Sequence, residues 1–101
     1  MSVANGMLEI AGTGTTGGGI AMKQNQLYGR WEIRAKQDYG NGFGPAILLW
    51  PKSENWPSDG EIDIAEIPAG ERKQAHFTVH WGSNNSQKSK VLQGDFTQWH
   101  T

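Results

Sequence analysis

Apolar and polar residues alternate along this chain and show no helical spacing. The clearest run is Leu27 to Lys36: Trp31, Ile33 and Ala35 fall on one side, and Arg30, Glu32, Arg34 and Lys36 on the other. A two-residue period of this kind predicts a half-buried β-strand. Ala75 to Trp81 repeats it, with Thr78 and His80 on one face and Phe77, Val79 and Trp81 on the other. Met7 to Ala11 and Gly19 to Lys23 read as shorter strands. Pro45 to Trp50 is almost continuously apolar, as expected of a strand covered on both faces. Val91 and Leu92 predict a brief pairing, and Asp95 to Thr101 the start of another strand. Between them, Gly12 to Gly19 is a glycine and threonine loop, Asp38 to Gly44 a glycine-rich turn, and Gly82 to Lys90 a polar loop. Pro51 to Asp59 reads as a loop in which two prolines fix φ. Strands separated by turns, with no heptad or repeat, predict an all-β sandwich or jelly roll.

One strand breaks its own alternation. Gly60-Glu61-Ile62-Asp63-Ile64-Ala65-Glu66 places three carboxylates in six residues. Side chains repeat every second residue on a strand, so Glu61 and Asp63 share a face. Simple parity puts Ala65 beside Asp63 and turns Glu66 away. One extra residue near Ile64 and Ala65, a β-bulge, would return Glu66 to the acidic face. Three like charges on one face repel, and nothing nearby in sequence neutralises them. The residues alone leave three readings open: a solvated acidic edge, a calcium site, or a catalytic carboxyl pair with a third acid that tunes it. The calcium reading is the poorest of these, because the strand lacks spaced oxygen ligands and a tight glycine turn.

Composition narrows the choice. The 101 residues suffice for one domain with a modest core. A net charge of −1 without a basic run argues against nucleic acid or an anionic membrane surface as partner. No apolar run is long enough to span a bilayer, and Met1 does not open a signal peptide. There is no cysteine, so disulfides and thiolate metal sites are excluded. Fourteen glycines and five tryptophans in so short a chain fit tight turns and flat aromatic surfaces. The glycine loop is not a phosphate cradle, since neither the lysine-serine/threonine pair nor a helix follows it.

The acidic strand resembles the signature of glycoside hydrolase family 16, whose members include laminarinases, lichenases and agarases. Glu61-Ile-Asp-Ile-Ala-Glu66 fits the pattern of Glu, aliphatic, Asp, two residues, Glu. Asn5 to Ile10, Gly17 to Ala21, Tyr28 to Lys36, Gly44 to Ala46 and Phe96 to Thr101 resemble family segments in family order. The resemblance implies a concanavalin A-like β-jelly-roll sandwich. It also implies that residues 1–101 are a catalytic domain cut at both ends, from a protein that is monomeric when full length. This sequence has the form of the signature with one inserted residue, which the family associates with laminarinases, agarases and carrageenases.

The resemblance assigns roles as well. It implies Glu61 as nucleophile, Glu66 as general acid/base and Asp63 as the acid that tunes them, in an endo-acting retaining hydrolase of β-1,3 or β-1,3-1,4 glucan. Agar, carrageenan or a bacterial exopolysaccharide are alternative substrates, and a carbohydrate-binding fragment without activity is an alternative function. Glu32 and Arg34 match positions that bind sugar hydroxyls, and Trp50 one that stacks on a sugar ring, although many laminarinases carry that tryptophan where this chain has Leu48. His80, beside Thr78, is expected near the acid/base, and Trp56 at the cleft rim. No cofactor or metal is expected on these residues; a structural calcium would take its ligands from segments outside this chain. A secreted, extracellular location follows from the same resemblance. Trp31 and Trp81 are expected in the core.

Overall fold

The computed structural model describes residues 1–101; the chain is all-β and its sheets are antiparallel. Strands β1 (Ser2–Ala4) and β2 (Met7–Glu9) form a hairpin. Its turn residues Asn5 and Gly6 have φ of 53° and 73°, the left-handed pair that a tight two-residue hairpin requires. Four further strands, β3 (Ala46–Leu49), β4 (Glu61–Glu66), β5 (Gln74–Trp81) and β6 (Ser86–Gln93), form one sheet in that spatial order. No helix is long and apolar enough to cross a membrane.

The acidic strand β4 is interior, paired on both sides, and it is bulged where parity requires. Against β5, Asp63 faces Thr78 and Glu66 faces His76, so Ile64 and Ala65 together oppose the single residue Phe77. Against β3, Ala65 pairs with Ile47 and Asp63 with Leu48, which leaves Ile64 as the extra residue. Opposed residues of an antiparallel pair share a face. Glu61, Asp63 and Glu66 therefore stand on one side, with Leu48 from β3 and His76, Thr78 and His80 from β5. Ile62, Phe77, Val79, Trp81 and Leu92 stand on the other.

Several strands expected from alternation do not form. Leu27 to Lys36 has the cleanest period yet contributes one bridge, Ala35 to His100. Alternation defines two faces, but a strand also needs a ladder partner, and Leu27 to Arg34 has none. Gly19 to Lys23 likewise forms no ladder, and Asp95 to Thr101 contributes a single bridge, through His100. The polar stretch Ser86 to Lys90, expected as loop, is instead the first half of β6, with every residue in register with β5. An edge strand exposed on both faces carries polar residues without penalty, and lysines there discourage further pairing. β3 is an edge strand as well, not one covered on both faces.

Only seven residues are buried, among them the apolar trio Ile67, Ala75 and Phe96 at the end of the sheet where β4 finishes and β5 begins. The apolar face carries no second layer, so Trp81, expected in the core, is 49% exposed, while Trp31 is half-buried. A shallow groove of about 520 Å³ on that face runs over Ile62, Phe77 and Val79.

Gly60 fixes the entry to β4. Its φ is 82°, and a Cβ there would sit 2.9 Å from the His80 carbonyl oxygen. Both the left-handed backbone and the close approach exclude a side chain. Gly60→Ala should lower stability by about 1–3 kcal/mol, read as an earlier urea midpoint; an unchanged midpoint would show that β4 does not depend on this turn.

Candidate active site

The site is built on the bulged face of β4. Asp63 is its most enclosed member, 3% exposed, and one oxygen, Oδ2, lies 2.9 Å from His80 Nε2. The other, Oδ1, is buried with no hydrogen-bond partner. Removal from water and the neighbouring Glu61 carboxyl push the Asp63 pKa up from its ordinary value. A proton on this group would give the orphaned oxygen a donor bond to make.

His80 is gripped from both ends. Its Nδ1 lies 2.8 Å from Asn85 Oδ1, and its Nε2 faces Asp63. An oxygen at each ring nitrogen demands one proton more than a neutral imidazole and an ionised carboxylate hold together. Either His80 donates from both nitrogens, or Asp63 donates to Nε2. His80 is accordingly raised above its usual range, first by the Asn85 hydrogen bond and then by Asp63, with burial opposing. Asn85 reaches this position from the turn between β5 and β6 with a φ of 52°. From sequence it offers only the ordinary signal of an asparagine in a turn.

Glu61 is held by an aromatic neighbour. The indole N–H of Trp56 donates to Glu61 Oε2 at 2.7 Å. Trp56 in turn stacks on Trp50, with ring centroids 6.2 Å apart and planes 11° from parallel, and its ring also lies 6.2 Å from the imidazole of His80. Trp50 is 49% and Trp56 41% exposed, which leaves a flat apolar surface open beside the acids. A depression of about 380 Å³ continues past Trp50 over Gln26, Leu27 and Lys52.

The residues singled out in the sequence thus divide into two groups. Glu61, Asp63, Glu66, His80, Trp50 and Trp56 come together on one face. Thr78 shares that face opposite Asp63, but it is buried with its hydroxyl 3.0 Å from that of Ser89. Glu32 and Arg34 have no contact with this group. Glu32 pairs with Arg30, and the Arg34 guanidinium lies over the Trp99 ring at 5.3 Å from its centroid. His76 stands opposite Glu66, and the His100 ring packs on Phe96.

Glu61, Asp63 and His80 bring ligand atoms within 4.8 Å of one another. This donor set does not fit calcium, which takes six to eight oxygens. Trp56 already holds one atom of the trio, and the Asp63–His80 hydrogen bond holds two more.

Carboxyls aligned on one sheet face, one of them oriented by an indole N–H, stand beside an open tryptophan stack, an arrangement able to hold a flat ring face next to groups that can attack or move a proton. The chain belongs to the glycosyl hydrolases family 16, whose family model matches residues 1–101. It is similar to a glucan endo-1,3-beta-glucosidase of Cryptopygus antarcticus, 33% identical over 79 residues, which covers 75% of this chain and 29% of that protein. It is similar to a beta-glucanase of Rhodothermus marinus, 40% identical over 68 residues, covering 62% of this chain and 24% of that protein. A keratan-sulfate endo-1,4-beta-galactosidase of Sphingobacterium multivorum is 42% identical over 65 residues, covering 60% of this chain and 15% of that protein. The chain therefore spans less than a third of the length of each of these relatives. No solved structure matches it.

The raised pKa values of Asp63 and His80 set a pH dependence. Each group binds its proton more tightly folded than unfolded. Their contribution to stability is therefore present at low pH and is lost as pH rises through the folded values, with the His80 part going above about pH 6.5. The thermal midpoint should fall between about pH 6 and pH 8, and His80→Gln should flatten that fall. Equal slopes in the two proteins would contradict the proton-sharing pair.

Proposed function

We propose that this chain carries the catalytic strand of an endo-acting retaining glycoside hydrolase that cleaves β-glucan at β-1,3 or β-1,3-1,4 linkages. The observation that carries the reading is the bulge between Asp63 and Glu66, which sets Glu61 and Glu66 on one face at the two ends of an acidic row. Retaining hydrolysis needs two carboxyls about 5–5.5 Å apart, one to attack and one to move a proton. Two same-face steps along a strand separate the end residues by roughly 13 Å at Cα, and two converging glutamate side chains span most of that.

In this mechanism Glu61 attacks the anomeric carbon while Glu66 gives its proton to the departing glycosidic oxygen. Water then attacks the glycosyl–Glu61 ester, Glu66 takes the water's proton, and Glu61 is released as a carboxylate. The N–H of Trp56 holds one Glu61 oxygen and leaves the other to attack. Esterification removes the charge on Glu61. Glu66, having given its proton to the leaving group, is left as the carboxylate that the second step needs as a base. A proton shared by Asp63 and His80 limits the negative charge of the row before substrate arrives.

The Trp50 and Trp56 pair favours a sugar polymer lying across the face, because ring faces of pyranoses pack on indole. The names of the Cryptopygus and Rhodothermus relatives favour glucan as that polymer. The Sphingobacterium relative gives a second reading, in which the polymer is a galactan such as agar or carrageenan. Glu32 and Arg34 act, in this proposal, at outer parts of the cleft, with Thr78 shaping its floor. An endo-acting enzyme meets its polymer outside the cell, which is where we place the protein.

In the full-length enzyme, Glu61→Ala and Glu66→Ala should each lower turnover of laminarin by at least about 10³-fold. Azide should restore the first variant with inverted product. Reducing ends should appear from laminarin or mixed-linkage glucan, and not from agarose or carrageenan. Full activity in either variant would remove the carboxyl assignment, and cleavage of agarose alone would replace glucan with galactan.

A further inference from the structure

Arg72 lies outside the acidic row and has no carboxylate partner, yet it is 2% exposed. A buried charge without compensation costs several kcal/mol, and here five main-chain carbonyls supply that compensation. Nε donates to Asp38 O at 3.0 Å and Nη2 to Gly40 O at 3.0 Å. Nη1 lies 2.6 Å from Phe43 O, 3.0 Å from Ile67 O and 3.2 Å from Ala69 O. Three of these carbonyls belong to the turn that leads into β3, and two to the residues that leave β4. Arg72 also holds a φ of 56°, a conformation costly for a residue with a side chain. Its own carbonyl accepts from Phe96 N–H at 2.8 Å, which fixes it to the small core.

The clamp lies one residue from Glu66. Ile67, whose carbonyl Arg72 grips, donates its N–H to Pro45 O at 2.9 Å, and Ala46 pairs with Glu66 across the ladder. A bulge is the place where strand register is least determined by pairing, and a slip of one residue moves every side chain beyond it to the opposite face. For Glu66 the opposite face is the apolar one. A guanidinium can tie both segments together because it presents five donors in one rigid plane; an ammonium presents three on a point.

We propose that Arg72 is a positioning residue for Glu66: it locks the exit of β4 to the turn before β3 and so keeps the bulge in the register that points the Glu66 carboxyl at the substrate. This proposal rests on the reading of Glu66 as the acid/base.

The test uses substrates that differ in their need for an acid. The full-length enzyme and its Arg72→Lys and Arg72→Ala variants are compared by kcat/KM on laminarin and on a 2,4-dinitrophenyl β-laminaribioside, normalised to active sites by the dinitrophenolate burst. Dinitrophenolate leaves without protonation, so the first chemical step on that substrate does not need Glu66. A misplaced Glu66 should lower kcat/KM on laminarin on the order of 10- to 100-fold and change it less than about threefold on the aryl glycoside. Added guanidinium should restore part of the laminarin activity of Arg72→Ala. Glu66→Ala is run beside them and should show the same substrate split. Loss on both substrates alike in the Arg72 variants, or failure of both variants to fold, overturns the positioning role, because Arg72 would then serve the fold as a whole. Full laminarin activity in Glu66→Ala overturns the acid/base reading itself.

Discussion

A strand cannot place its first and sixth residues on one face while its ladder stays regular. β4 satisfies that constraint by taking one residue out of register between Asp63 and Glu66, on both of its sides at once. Every feature of the site follows from it. Were these six residues held in a regular ladder, without the bulge, Glu66 would join Ile62 and Phe77 on the apolar face, and the acidic face would end at Asp63. The neighbours support the irregular geometry at both ends. Gly60 supplies a backbone that lets Glu61 enter beside the His80 carbonyl. Arg72 and the Ile67 to Pro45 hydrogen bond hold the exit.

The arrangement is electrostatically costly, and the structure offsets the cost with hydrogen bonds from neutral or proton-sharing groups. No lysine or arginine pairs with the row. Trp56 gives one N–H to Glu61, while His80 and Asp63 share a proton set by Asn85. A fixed cation there would favour the ionised form of every carboxyl in the row, whereas the proposed mechanism needs one of them to carry a proton. Groups that gain and lose protons leave the row able to change charge during a reaction cycle. The same economy explains why the most buried acid, Asp63, is the one assigned no transfer of its own.

Legibility from sequence follows the physical origin of each feature. The acidic strand, its bulge and the faces of β5 were readable because parity alone fixes which side chains share a side. Leu27 to Lys36 shows the limit of parity: its period is the cleanest in the chain, but whether a ladder forms depends on a partner that local sequence does not identify. Ser86 to Lys90 shows the converse, since an edge strand exposed on both faces carries no apolar signal. Of the first hairpin only the second strand was readable, within Met7 to Ala11, since Ser2 to Ala4 is too short for a period to show. In the site, the Trp56 to Glu61 bond and the Asn85 grip on His80 bring loop residues onto strands, and loops have no period from which to read direction. Arg72 gave no signal at all. Its partners are main-chain carbonyls, which carry no sequence identity.

The most direct measurement is to trap the intermediate. A 2-deoxy-2-fluoro laminaribiosyl donor with a dinitrophenyl leaving group, incubated with the full-length enzyme and followed by peptide mass spectrometry, should leave one glycosyl unit esterified to Glu61. A label on Glu66 or Asp63, or release of α-configured product with no trapped species, would contradict the account of this strand as a retaining catalyst with Glu61 as its nucleophile.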